Sequence, residues 1–543
     1  MNLTNRIFFA VLFSALATAA AAFMLQRLSH RPMHTDEAVH AFQFADLLEK
    51  GRFRYDPAEY HGPTLIYFTL LPARLRAEKV LSDVDEKTLR LVPVFFGLGL
   101  ILLLLPLVRG LGRGVVLTSA FWTAVSAPMA FYSRYYIHEV LFVFFSFALI
   151  VCGYRFLRSG KTSWILGAAF SAGLMHATKE SCVLAWGAMA AALLPVWVER
   201  GRKRTDDGKW FRPRHTTVFL GGAAFVSALF YSSFLTHPEG IVDSFRAFLH
   251  YFNRSSVSSI HDHPWDYYFR LLLFWHVPGK PVWSEIPMLI PAGIGLLSAF
   301  GKFSDPGTDR RLIRFVLCYT ALLAAIYTVI PYKTPWNLLG FYHGLVLLAG
   351  TGTVALLQGL KRKRARIVSA IFLMVLGSTA IRQTWLLNGR YDSDPGNPWV
   401  YAQAGESLLH VIRAVEDVAS KVPEQFGIPV EVIVPRHEYW PLPWYFRRFT
   451  RIGWYGRVDS TAAPVPVILV APQEEPSLVL KLYERMPPGS RYLYVPLWNE
   501  YTELRPGCEI RGYIRNEYIR KETWDAVQSE KEVPTNAPVT RRP

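Results

Sequence analysis

The residues best suited to chemistry form one short run, His34-Thr35-Asp36-Glu37-Ala38-Val39-His40, just beyond an apolar segment at residues 7–26. A threonine ahead of two carboxylates suits a helix start. Thr35 can cap it, and Asp36 and Glu37 in the first turn suit the positive end of the helix dipole. That is the ordinary reading, and position adds a second. A carboxylate at a membrane surface, ahead of a short interfacial helix, can take a proton from a hydroxyl in water. The leaving group of the other substrate can meanwhile stay anchored in lipid. Asp36 and His40 are four residues apart and share a helix face, which leaves a divalent metal open without fixing a third ligand.

Other polar groups stand where apolar segments end. Tyr132-Ser133-Arg134-Tyr135-Tyr136-Ile137-His138-Glu139 joins two of them; a snorkelling Arg134 and interfacial tyrosines would be ordinary there. Thr178-Lys179-Glu180 puts an ionisable pair at the membrane boundary, where such groups are costly and suggest function; mutual pairing of Lys179 and Glu180 is the ordinary alternative. Pro331-Tyr332-Lys333-Thr334-Pro335-Trp336 is a tight turn with one cation. A shared anion would account for Arg134, Lys179 and Lys333 together, and a lipid phosphate fits headgroup depth. His61-Gly62-Pro63 could add a donor. His261-Asp262-His263 has the look of a metal site, but a solvated loop is the simpler expectation.

The elements that must position these groups are membrane spans. Hydrophobic residues make up 51% of the 543 and charged residues 19%, against about 25% charged in ordinary soluble proteins. Mean hydropathy is +0.18 for the whole chain, so a polar part is averaged with a far more apolar one. A soluble enzyme throughout is excluded. About 20 apolar residues are needed to cross the hydrocarbon core, and about eleven segments qualify: residues 7–26, 91–108, 115–132, 139–157, 164–178, 181–198, 217–236, 284–301, 312–331, 336–358 and 367–387. Basic residues crowd alternate connections, through Arg109 and Arg113, Arg155 to Lys161, Arg200 to Arg214, Lys302 to Arg314, and Lys361 to Arg366. The positive-inside rule predicts a cytoplasmic N-terminus for an integral, multi-pass protein, and the plasma (inner) membrane is the expected location. It also accounts for the net charge of +17 without nucleic acid. Asn2 to Arg6 and Ala19 to Ala22 fit a signal peptide too, but the long apolar run favours a retained span. The four cysteines form no CxxC and offer no disulfide framework.

The transmembrane domain is expected over 1–387, with large outer loops at 27–90 and 237–283. The first contains a short interfacial helix at 63–75. The second is aromatic-rich, with amphipathic stretches that suit a lid or binding element. From 388 the class changes. Helical spacing at 402–422 and 478–485 alternates with short apolar runs at 430–434, 467–470 and 491–495. This predicts an extracytoplasmic α/β domain over 388–527 with a partly parallel sheet. Residues 528–543 read as a disordered tail.

His34-Thr35-Asp36-Glu37-Ala38, His61-Gly62-Pro63-Thr64-Leu65-Ile66-Tyr67-Phe68, Ser133 to Glu139 and Pro331 to Trp336 together resemble the GT-C superfamily of membrane glycosyltransferases. The branch is that of protein O-mannosyltransferases and the aminoarabinose transferase of lipid A. The prokaryotic subgroup labelled flippase-activity-associated membrane protein is more similar still, and extends the likeness to Tyr439-Trp440-Pro441-Leu442-Pro443-Trp444-Tyr445. The resemblance implies a GT-C-like polytopic α-helical protein that moves a sugar from a polyprenyl-phosphate donor to an acceptor protein, lipid or glycan. Matched to that motif, Asp36 is the base, with Glu37 beside it. His61, Arg134, Glu139, Lys179, Glu180, Tyr332 and Lys333 are the substrate-binding candidates. Where relatives carry Asp in the second loop, His138 and Glu139 stand here. The rival expectation is a flippase- or transport-associated protein without transferase activity. Transporters show half-repeats and broken helices at the midplane, whereas these polar residues gather at one interface.

Overall fold

The computed structural model describes residues 3–202, 212–255, 261–301 and 308–518. The chain forms two compact units, Met1–Arg31 with Val39–Tyr401, and Pro32–Ala38 with Ala402–Pro543. The sequence places the change of class near 388; the division comes after Tyr401, and the second unit also takes in Pro32–Ala38. The expected tail at 528–543 lies outside the described residues.

The first unit is helical. Its elements are α1 (Leu3–Met24), α2 (Thr35–Lys50, whose first turn belongs to the second unit), α3 (Thr64–Leu75), α4 (Glu86–Leu102), α5 (Val108–Val125), α6 (Ala127–Tyr132), α7 (Glu139–Ser159), α8 (Thr162–His176), α9 (Cys182–Arg202) and α10 (Pro213–Tyr231). There follow α11 (Gly240–Ser255), α12 (Tyr267–Leu273), α13 (Ile286–Ala299), α14 (Arg310–Val329), α15 (Leu339–Gln358) and α16 (Lys363–Asn388). Each of the expected spans overlaps at least one of these helices, but 115–132 is broken at Ser126, between α5 and α6, and the count of eleven crossings is not reproduced. Six segments among the described residues are long and apolar enough to cross a membrane, and Thr64–Leu75, Cys182–Val196 and Ile286–Ala299 are shorter apolar helices.

Apolar side chains such as Phe8, Val11, Phe225, Val368 and Met374 are exposed. In water that surface would be a liability; against hydrocarbon it is the solvent-facing surface. Lipid removes the hydrophobic drive between helices, so close packing must hold them. Glycines supply it where α13 meets α15: a Cβ on Gly295 would lie 1.9 Å from Leu348 O, and one on Gly352 1.8 Å from Pro291 O.

The second unit carries α17 (Glu406–Lys421), α18 (Leu442–Tyr445), α19 (Glu475–Val479) and a π-helical turn, Leu480–Arg485. Its five-stranded sheet has the order β2-β1-β3-β5-β4, with β1 Val430–Ile433, β2 Ile452–Tyr455, β3 Val467–Val470, β4 Tyr494–Pro496 and β5 Arg511–Arg515. β1 runs parallel to β2 and β3, and β5 antiparallel to β3 and β4. The sheet is thus partly parallel, as expected, but the sequence pattern missed β2 and β5, each weakened by a glycine. Alternation along the strands fills two cores. Val430, Val432, Val467 and Leu469 share one with α17, while Ile433, Ile468 and Val470 share the other with Leu478 and Leu482. Each fully buried aliphatic side chain contributes roughly 1.5–3 kcal/mol.

Candidate functional site

The start of α3 docks onto the connection between α8 and α9, and glycine makes this contact. A Cβ on Gly62 would lie 2.2 Å from Ala177 O and 2.8 Å from Thr178 N. The Thr64 N–H donates to Ala177 O at 3.1 Å, and the Thr64 hydroxyl donates to Thr178 Oγ1 at 2.9 Å. His138, buried at the start of α7, donates from Nε2 to Gly62 O at 3.0 Å. Gly62→Ala is therefore expected to lower the melting temperature, since overpacking costs about 1–3 kcal/mol. It should also displace His61. A variant that melts like the parent would show that the backbone yields at little cost.

That docking sets the charge pairs. Lys179 Nζ donates to Glu139 Oε1 at 2.5 Å and lies 3.4 Å from Asn337 Oδ1. His61 Nδ1 meets Glu180 Oε2 at 2.8 Å, with the Glu180 side chain buried and that of His61 39% exposed. Burial pushes the Glu180 carboxyl up, but the nearby His61 and Lys179 more than offset it, and the net shift is down. Lys179 and Glu180 thus do not neutralise each other; each takes a partner from another element. Adjacent residues rarely face the same side.

His138 sits between two other imidazoles, with ring centroids 4.7 Å from His40 and 5.4 Å from His61. Burial first, then His40, His61 and Lys179, hold it well below the ordinary imidazole range, so it is neutral at pH 7. The unfolded chain, at about 6.5, then binds a proton that the folded chain does not. Stability from this group is complete above about pH 6.5 and is lost as pH falls below it. His138→Gln should flatten the fall in melting temperature between pH 7 and 5. An unchanged slope would place the titration elsewhere.

Lys333 occupies a second strut. Its backbone N–H donates to His261 O at 2.9 Å, and the His263 N–H donates to Pro331 O at 3.1 Å. The Lys333 ammonium donates to His263 O at 3.0 Å and to Ile330 O at 2.5 Å. Burial lowers its pKa, with Asp262 pulling the other way. His261 Nδ1 and His263 Nε2 meet the Tyr401 hydroxyl at 2.8 and 3.2 Å, and the Tyr332 ring lies 5.0 Å from that of His261. The expectation of a solvated loop at 261–263 is therefore corrected: backbone pairing with the 331–335 turn docks it. Among the described residues, no group of three or more His, Cys, Asp or Glu side chains is placed to hold a metal ion.

Arg134 stands apart from these cations. Its guanidinium donates to Asn388 O at 2.9 Å and Gln26 O at 2.6 Å, tying the ends of α16 and α1. Arg90 donates to Leu28 O and Arg31 O at 2.6 and 3.0 Å, and Arg31 to Arg134 O at 2.7 Å. The expectation of one anion shared by Arg134, Lys179 and Lys333 is therefore revised. Lys179 is joined to the 335–338 turn that follows Lys333, through Asn337, whereas Arg134 belongs to an arginine cluster.

In the second unit, the Asp36 and Glu37 carboxylates share one helical turn but differ in access. Glu37 is buried and accepts from the His34 N–H at 3.1 Å. The Asp36 side chain is 43% exposed; its carboxylate lies 3.8 Å from His34 Nδ1, which accepts the Asp36 N–H at 3.0 Å. Met33 N–H donates to the Tyr445 hydroxyl at 2.8 Å, and Gln403 Nε2 to Pro32 O at 2.7 Å. These bonds hold the segment ahead of Asp36.

Residues 68–212 match the family described as dolichyl-phosphate-mannose-protein mannosyltransferase. No protein of curated function matches the sequence. Among solved structures, ArnT from Cupriavidus metallidurans in the apo state matches with a TM-score of 0.61 at 14% identity, covering 94% of this chain and 98% of that one. The same protein bound to undecaprenyl phosphate matches with a TM-score of 0.59, also at 14% identity, covering 96% and 99%. The fold is GT-C. The chain is thus an integral membrane protein of GT-C architecture with a small α/β unit. Within this GT-C frame, sequence reasoning missed Asn337, Arg31 and Arg90. A cation at the mouth of an apolar span, as Arg90 is, was the available signal. Asn337, an ordinary polar residue in a turn, gave none.

Proposed function

We propose that this protein transfers a sugar from a polyprenyl-phosphate-linked donor to an acceptor hydroxyl at the outer face of the plasma membrane, with inversion at the anomeric carbon. The observation that carries the reading is the GT-C fold, matched along nearly the whole chain by ArnT with undecaprenyl phosphate bound. Asp36 is the base. Being accessible, it can meet an acceptor hydroxyl, whereas buried Glu37 positions the turn.

The acceptor oxygen attacks the anomeric carbon from the face opposite the phosphate. The bond from that carbon to the bridging oxygen breaks, its electron pair stays on the polyprenyl phosphate, and the hydroxyl proton passes to Asp36. The leaving phosphate is already ionised, so no acid need protonate it. Lys179 and Lys333 supply positive charge where the bridging oxygen becomes negative, and His61 adds a hydrogen-bond donor; groups already fixed in place do this with little reorganisation. Glu139 and Glu180 hold Lys179 and His61 in place, while Tyr332 flanks Lys333. Arg134 acts structurally, through the helix ends.

The test is purified protein incubated with radiolabelled polyprenyl-phosphate sugars and extracted envelope proteins, lipids and glycans. Label should leave the organic phase with one acceptor class. Label that stays on the polyprenyl carrier across the whole panel would remove the transferase reading and leave the transport-associated one.

A further inference from the structure

We infer that Tyr445 and Gln403 of the α/β unit are positioning residues for sugar transfer, clamping the turn that carries Asp36. The inference rests on the proposed role of Asp36 as base. It gives a purpose to the Tyr439–Tyr445 motif, whose last residue stands 412 positions beyond its partner Met33.

The turn needs support from outside itself. Pro32–Ala38 groups with Ala402–Pro543, not with the residues that flank it in the chain. Residues 32–34 are buried yet form no regular element, so no helix or sheet pairs their backbone and other partners must. The α/β unit supplies two. The Tyr445 hydroxyl accepts the Met33 N–H at 2.8 Å, and Gln403 Nε2 donates to Pro32 O at 2.7 Å. A third link is longer: Arg505 Nη1 lies 3.4 Å from Thr35 Oγ1 and 3.4 Å from Trp440 O, so it spans from the turn to the motif.

The motif can hold a hydroxyl still. Leu442 and Phe446 belong to the core shared with α17, and Tyr439 and Tyr445 pack against it. Trp444 is fully buried; the Arg447 guanidinium stacks 3.8 Å from its ring centroid and donates to its carbonyl at 2.6 Å. Gln403 is 2% exposed, and its neighbour Ala404 lies in the same core. Apolar side chains thus root both residues, and their polar atoms meet the backbone ahead of Asp36. A general base must lie within hydrogen-bond reach of the hydroxyl it deprotonates, and a misplacement of about 1 Å can cost roughly 100-fold in rate.

The test uses the full-length protein in one detergent. Tyr445→Phe removes only the hydroxyl. It should lower kcat roughly 10- to 100-fold and leave the donor KM near the parent's. Amide exchange over residues 32–38 should quicken roughly tenfold, the loss of one hydrogen bond to a buried N–H, with β1 and β3 unchanged. Gln403→Met, of similar volume, should act in the same sense through Pro32 O. In an Asp36→Asn background, Tyr445→Phe should cost at most about twofold more, because a residue that acts through the base has nothing left to position. A purely structural role would lower the melting temperature while kcat below melting stays parental, or would add its full loss to that of Asp36→Asn. Either result overturns the inference, as does parental exchange over 32–38 in both variants. A parent that transfers no sugar is a separate failure: it removes the base reading, and this inference falls with it.

Discussion

Asp36→Asn is expected to lower sugar transfer by roughly 10²–10⁴-fold, the usual contribution of a positioned general base. That is about 2.7–5.5 kcal/mol of transition-state stabilisation. The change should leave the fold intact. Asn keeps the shape of Asp, and the Asp36 side chain is 43% exposed, so no buried charge is stranded. Loss of a carboxylate from the first turn costs about 0.3–1 kcal/mol through the helix dipole, well below the kinetic effect. Initial rates at saturating donor and acceptor, set beside melting curves of the two proteins, separate the two contributions. Transfer at the parental rate would take Asp36 out of the mechanism.

Lys179→Met should be the most destabilising single change at the site, costing about 3–5 kcal/mol, because Glu139 is left charged and buried without its partner. The side chains of the pair are 11% and 8% exposed, too enclosed for water to screen them. Replacing both members differs from breaking the pair. Lys179→Met with Glu139→Leu should recover most of the lost stability, since apolar residues of similar volume often substitute for a buried ion pair without net cost. Transfer should not recover, because the cation is still missing. Denaturation in a fixed detergent gives the stabilities, and the donor assay gives the rates. If the double variant regains transfer along with stability, Lys179 is a structural residue and has no share in handling phosphate.

The membrane part was largely legible from hydropathy. Each expected span overlaps helix, because about 20 apolar residues in hydrocarbon can satisfy their backbone only internally, although 115–132 is broken at Ser126 and only six segments among the described residues are long and apolar enough to cross. The short apolar helix after Pro63 and two strands of the second unit, β1 and β3, were equally readable. β2 escaped because Ile452-Gly453-Trp454-Tyr455 is short and interrupted by glycine. Which cation pairs with which carboxylate was not readable at all. Lys179 and Glu180 are neighbours in the chain, yet the first pairs with Glu139 and the second with His61.

The sequence by itself determined the apolar helices, the carboxylates at the start of α2 and the polar residues gathered where spans end, since these follow from local composition and spacing. Only the tertiary structure decided that Gly62 seats His61 against Glu180, that Lys179 leans on Glu139, and that Arg134 leaves the other cations for the ends of α1 and α16. Those choices depend on which backbones approach within a few ångströms, and residues 40 to 254 positions apart carry no local signal of that distance.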